Sequence, residues 1–129
     1  MSLIRAKNTA PELAVRRALH RLGYRFRLHT SDLPGKPDIT FPARRKAIFV
    51  HGCFWHQHPG CSVAHLPNTR RDYWAAKFER TVERDARSIW EIRALGWEAM
   101  VVWECEIRGK AAVEEQLTRF LGAPREGQK

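Results

Sequence analysis

Phe49-Val-His-Gly-Cys-Phe-Trp-His-Gln-His-Pro-Gly-Cys61 carries an apolar strand end straight into a loop crowded with metal ligands. Cys53, His58 and Cys61 stand inside it, and the one further cysteine of the chain is Cys105. Four residues separate Cys53 from His58 and two separate His58 from Cys61. Zinc takes four ligands in a tetrahedron, and three cysteines with one histidine form one of its standard structural sets. Cys105 would close the set from far along the chain, stitching the loop to a distant strand and stiffening it without a large core beneath. Otherwise the cysteines are small buried residues, or a disulfide with one thiol left over. No signal peptide opens the chain, so a reducing compartment is expected, where such a cluster points to metal or catalysis. His58 and Pro59-Gly60 also read as loop rather than core.

The 129 residues suit one domain, expected over 1–122 with 123–129 as a disordered tail. No apolar run reaches membrane-spanning length, and there is no internal repeat. The 23 Lys and Arg against 14 acids, a net +9 rich in arginine, argue for a polyanionic partner, most simply nucleic acid. The alternative is a merely basic soluble protein.

Leu22-Gly23, Leu95-Gly96 and Leu121-Gly122 each end a periodic run as helix terminators do. The first helix is predicted to start at Thr9, with Thr9 and Glu12 as a capping box and Val15, Ala18, Leu19 and Leu22 facing inward. Tyr24–Leu28 alternates apolar and basic like a half-exposed strand, and Leu33–Pro37 is a turn. Asp38–Phe41 and Ala47–Val50 are strands joined by a basic loop, Pro42–Lys46. A long helix over Asp72–Leu95 is predicted to turn Phe78, Val82, Ala86 and Ile89 inward, beside a basic stripe of Lys77, Arg80, Arg84 and Arg87. Trp97–Trp103 is a core strand that delivers Cys105, and a last helix covers about Lys110–Leu121. The order α-β-β-β-α-β-α predicts an α/β layered domain.

Asp38 opens a strand just after a turn, where a carboxylate can present a hard cation such as Mg²⁺ to a phosphate or merely cap the turn. His51 ends the next strand, on the same side of the sheet if the two strands pair, and His56 follows in the loop. Imidazoles so placed can activate water or be ordinary loop histidines.

His51-Gly-Cys-Phe-Trp-His56 with the following His and Cys resembles the signature of the very short patch repair (Vsr-type) DNA mismatch endonucleases. Leu33-Pro-Gly-Lys-Pro-Asp38, Val82-Glu-Arg-Asp85, Leu95-Gly-Trp97 and Val102-Trp-Glu-Cys105 are similar to further motifs of that family, in the same order from Ile4 to about Gly109. The resemblance implies a restriction-endonuclease-like fold, a mixed central sheet flanked by helices with a structural zinc site. It also implies a Mg²⁺-dependent enzyme that nicks one strand of double-stranded DNA beside a T:G mismatch. By position, Asp38 matches the Mg²⁺-binding carboxylate, with the Val50 carbonyl beside it, and His56 matches the water-activating histidine. His51 matches a histidine at the scissile phosphate, and Glu12 an acid that supports the site. Cys53, His58, Cys61 and Cys105 match the structural zinc ligands, and Phe54, Trp55 and Trp74 the aromatics that wedge into the duplex. An aromatic wedge suits a mismatch, where unstacking costs least.

Val50 stands where a familiar member of the family has Thr, and the interval from His58 to Cys61 is one residue longer than in that member. The match also starts near the beginning of the chain, so the family's N-terminal DNA-embracing arm is not expected. A cytoplasmic, nucleoid-associated monomer is expected, in contact with mismatch-repair proteins and with no membrane. The alternatives are a non-catalytic, zinc-stabilised module that recognises distorted DNA, and a related nuclease of other specificity. Asp38 favours an enzyme, because a pure binder gains nothing from a carboxylate aimed at phosphate.

Overall fold

A computed structural model describes residues 9–61 and 65–123. Ile4 and most of the expected tail lie outside the described residues. The chain runs α1 (Ala10–Leu22), β1 (Arg27–Leu28), β2 (Ile39–Phe41), β3 (Lys46–His51), α2 (Arg71–Ala94), β4 (Glu98–Trp103) and α3 (Lys110–Leu121), with short 3₁₀ turns at Pro42–Arg44 and Glu104–Arg108. The predicted order of helices and strands is therefore the observed one.

Local chemistry accounts for the ends. Thr9 caps α1 with its hydroxyl oxygen accepting from the Glu12 amide, and Gly23 closes the helix at φ 89°. Gly96 and Gly122 also take positive φ, which glycine adopts without a Cβ penalty. Two of the basic residues in the Pro42–Lys46 connection reach across the fold. Arg44 Nη1 donates to the Leu121 carbonyl at 2.6 Å and Lys46 Nζ to that of Phe120, so cations meet the negative end of α3.

The four strands form one mixed sheet in sequence order. β1, β2 and β3 are successive antiparallel neighbours, and β3 and β4 are parallel. A parallel neighbour needs a long crossover, which α2 supplies. Strand alternation then sorts the residues into two faces. Ile39, Phe41, Ile48 and Val102 pack with Val15, Ala18 and Leu19 of α1 and Val113, Leu117 and Leu121 of α3. Ala47 and Phe49 face the other way, against Ile92 of α2, with Ile89, Ala99 and Val101 around them. The result is a sheet between α1 with α3 on one side and α2 on the other, a mixed four-stranded α/β domain as predicted.

Two expectations change. The strand expected over Tyr24–Leu28 pairs only at Arg27–Leu28, because Tyr24 and Phe26 leave the ladder to pack into the core beneath it. The inward row of α2 is also half different: Phe78 is buried and Ile89 packs beside buried Ile92 as expected, while Ala86 is exposed, Val82 is 45 % exposed and Trp90 70 %. The row facing the sheet is Trp74, Phe78, Thr81, Asp85, Ser88 and Ile92, at alternating steps of four and three, and half of it is polar. An apolar count selects the wrong stripe because this face covers a polar cleft as well as core. Gly35 fixes how closely the Leu33–Pro37 turn approaches α2, since at φ +76° an added Cβ would lie 2.5 Å from Ser88 Cβ. No helix among the described residues is long and apolar enough to cross a membrane.

Candidate active site and metal cluster

Asp38 immediately precedes β2 and continues the face of Thr40, while His51 ends β3 on the same face as Phe49. The antiparallel pairing of these strands therefore carries both residues to one end of the sheet. There they line an open cleft of about 990 Å³ with Val50, Trp55, His56, Lys36, Arg84 and Asp85. Asp38 Oδ2 accepts from the Val50 amide at 2.7 Å. Burial nevertheless raises its pKa to about 6, against the lowering by that amide and with repulsion from Glu12 adding to the rise. An oxygen donor so placed, half-buried and costly to ionise alone, fits a hard divalent cation that would restore its charge.

The His56 ring stacks on His51 with centroids 3.8 Å apart and planes 4° from parallel. Its Nδ1 donates to Asp85 Oδ2 at 2.6 Å, which leaves Nε2 as the nitrogen that can accept a proton. Burial, and then the neighbouring His56, lower the pKa of His51 to about 4, so His51 is a neutral ring at physiological pH. Its Nδ1 is buried and has no hydrogen-bond partner among the described residues. The pair thus sets a neutral inner ring beneath an outer ring that is backed by a carboxylate.

Glu12 arrives from the opposite layer, in the first turn of α1. It is 1 % exposed and stands behind His29, whose Nε2 donates to Glu12 Oε2 at 2.7 Å. Of the predicted capping box the Thr9 half is present, in a bond 3.4 Å long, while the Glu12 carboxylate meets His29. Sequence reading left out His29 and Asp85 as site residues. Asp85 lay within the quoted Val82–Asp85 motif, which was its one signal, and His29 had none.

At the same end of the sheet, Cys53, His58, Cys61 and Cys105 bring their donor atoms within 4.8 Å of one another. Cys53 Sγ and Cys105 Sγ lie 3.7 and 3.4 Å from His58 Nδ1. Tetrahedral bonds of about 2.3 Å to sulfur and about 2.0 Å to nitrogen require S···N edges of roughly 3.5 Å, so the donor set fits zinc. Burial, followed by hydrogen bonds to the other two thiols, pushes the Cys53 thiol up to about 11, a rise that a bound cation would reverse. The Cys105 amide donates to Cys53 Sγ at 3.4 Å, and Glu104 Oε1 accepts from the Cys53 amide at 3.4 Å. Together they clamp the loop to the end of β4.

Phe54 and Trp55 leave this loop toward the start of α2. There Phe54 meets Trp74 and Phe78 edge-on at 6.2 and 5.1 Å, and Trp55 and Trp74 lie 5.9 Å apart. Phe54, Trp55 and Trp74 are all half-buried, so the cluster is anchored below and accessible above.

Comparison with known proteins agrees with this arrangement. Residues 1–62 match the family model described as DNA mismatch endonuclease Vsr. The type II nicking enzyme V.XorIIP of Xanthomonas oryzae pv. oryzae is 53 % identical over 121 residues, covering 94 % of this chain and 88 % of the relative. The DNA mismatch endonuclease Vsr of Escherichia coli is 40 % identical over 122 residues, 94 % of this chain and 78 % of that one. The type II nicking enzyme V.NmeAIP of Neisseria meningitidis is 38 % identical over 121 residues, 94 % and 86 % of the two chains.

Proposed function

The chain belongs to the DNA mismatch endonuclease Vsr family and is a DNA endonuclease, and from that premise we propose that it nicks one strand of double-stranded DNA beside a T:G mismatch, in very short patch repair. The observation that carries this reading is the meeting of Asp38, His51, His56 and Asp85 in one cleft, with His56 held on Asp85 at 2.6 Å. Asp38, with the Val50 carbonyl, would hold Mg²⁺, which when bound supplies charge neutralisation at a phosphate oxygen. His56 takes the proton of the attacking water at Nε2, and Asp85 orients the ring and stabilises its charged form. His51, neutral and stacked beneath, offers its ring to the scissile phosphate without competing for the proton. Glu12 supports the metal-binding carboxylate from behind.

Zinc in the Cys53, His58, Cys61 and Cys105 cluster would make the loop that bears Phe54 and Trp55 a rigid base for a wedge, together with Trp74. Lys36 and Arg84 on the cleft rim suit the phosphate backbone. On this reading residues 1–122 form a single restriction-endonuclease-like domain that acts as a monomer, and mismatch-repair proteins are partners. Nicking measured on T:A, T:G and other mismatched duplexes, with and without Mg²⁺, tests it. Metal-dependent cleavage of one strand of the T:G duplex alone is expected. Equal cleavage of all the duplexes leaves the nuclease but removes the specificity, and binding without cleavage supports a recognition module instead.

A further inference from the structure

His29 is tied through its backbone to Asp38 and through its ring to the Glu12 carboxylate, and nothing in the proposed mechanism uses it. Its backbone amide donates to the Asp38 carbonyl at 2.9 Å, and its ring donates to Glu12 Oε2 at 2.7 Å. One residue thus joins the strand that bears Asp38 to the first turn of α1, 17 positions away in sequence. We propose that His29 is a positioning residue that holds Glu12 at a set distance from Asp38, so that the two carboxylates meet a divalent cation preformed. This rests on the reading that Asp38 carries the metal.

Four observations support it. Glu12 is 1 % exposed, and a carboxylate so buried needs hydrogen-bond donors to replace its lost hydration and to fix its direction. The His29 ring meets Glu12 Oε2 at 2.7 Å, a full hydrogen bond, while Arg16 Nε stands 3.8 Å from the same oxygen. His29 also sits at φ 51°, in the left-handed region that a non-glycine residue adopts at a cost. A strained backbone at the wall of a cleft marks a side chain whose placement matters. Asp38 also interacts electrostatically with both Glu12 and His29, so a shift of Glu12 would be felt at Asp38.

The test uses the purified full chain with its Cys/His metal retained and no DNA. Mn²⁺ binding is read by electron paramagnetic resonance for wild type, His29→Gln and His29→Asn. Gln places its amide donor about where the Nε2 donor stands, whereas Asn tolerates the positive φ but is too short to reach Glu12. His29→Asn should bind Mn²⁺ about tenfold more weakly or worse, as expected when the partner of a site carboxylate is lost, and His29→Gln should stay within about threefold of wild type. The Mg²⁺ concentration that half-saturates nicking should rise in the same order, with the rate at saturating Mg²⁺ changed less. Wild-type Mn²⁺ affinity in His29→Asn, or equal weakness in both variants, overturns the proposal. So does a His29→Gln chain that does not fold, because the ring would then be holding the core. If only His29→Asn fails to fold, His29→Gly takes its place with the same expectation. Asp38→Ala is the control: Mn²⁺ binding unchanged there refutes the assignment of metal to Asp38, whatever His29 does.

Discussion

Replacing Asp38 by Asn should stabilise the metal-free protein while abolishing its nicking. Asn keeps the shape of the side chain and an oxygen for the Val50 amide, but it does not ionise. The Asp38 pKa rises from its ordinary 3.8 to about 6 in the fold, chiefly through burial. At about 1.4 kcal/mol for each tenfold change in proton affinity, the ionised carboxylate costs the fold about 3 kcal/mol. The sign follows from proton linkage. Between the two pKa values the native state binds the proton more tightly than the unfolded chain, so stability falls as pH rises from about 4 to about 6 and stays low above. Below pH 4 Asp38→Asn should match wild type in this respect. By pH 5 roughly 1.6 kcal/mol of the penalty is present, and by pH 7.5 nearly all of it, so the gap between variant and wild type should widen by about 1.4 kcal/mol over that interval. Urea unfolding at pH 5 and pH 7.5, in Mg²⁺-free buffer without chelator so that the Cys/His cluster is undisturbed, reads the gap. Adding Mg²⁺ at about ten times its dissociation constant should raise the stability of wild type alone, by about 1.4 kcal/mol. A variant less stable than wild type at pH 7.5, or a gap that does not change with pH, would refute the view of Asp38 as a carboxylate held at a cost for a cation.

The Cys/His cluster should hold one zinc per chain, and Cys105→Ser should lose both metal and cooperative unfolding, checked by elemental analysis and circular dichroism; an intact, zinc-loaded Cys105→Ser protein contradicts the assignment. His56→Ala should lower single-turnover nicking by about 10² to 10⁴-fold, and Asp85→Asn by about 10²-fold or more with DNA affinity retained, since the amide no longer orients and stabilises the imidazolium. Trp55→Ala should lose the preference for T:G over T:A duplex while keeping salt-dependent binding. Arg84→Ala, on the cleft rim, should weaken both complexes alike and reduce the salt slope by about one, which titration of both duplexes at two salt concentrations separates.

The sequence by itself determined what depends on near neighbours. Gly23, Gly96 and Gly122 end their helices because glycine alone takes positive φ freely, and Thr9 starts one because its hydroxyl meets the Glu12 amide. The spacing of Cys53, His58 and Cys61 likewise declared a ligand loop, while Asp38 and His51 share a face only through the register in which their strands pair. The motifs of the resemblance led to the family by order and content. What tertiary structure alone decided is which long-range partners those residues have. Asp85 meets His56 29 positions away, and His29 meets Glu12 at 17, contacts set by how α2 and α1 lie on the sheet. The helical period of α2 offers several stripes, and its apolar content favours the one through Val82 and Ala86. The fold turns a different one inward, because the end of the sheet that α2 covers holds His56, which bonds Asp85, and the turn at Gly35, which leaves room only for a small residue such as Ser88. A residue's partner across the fold is a property of packing, and no local pattern encodes it.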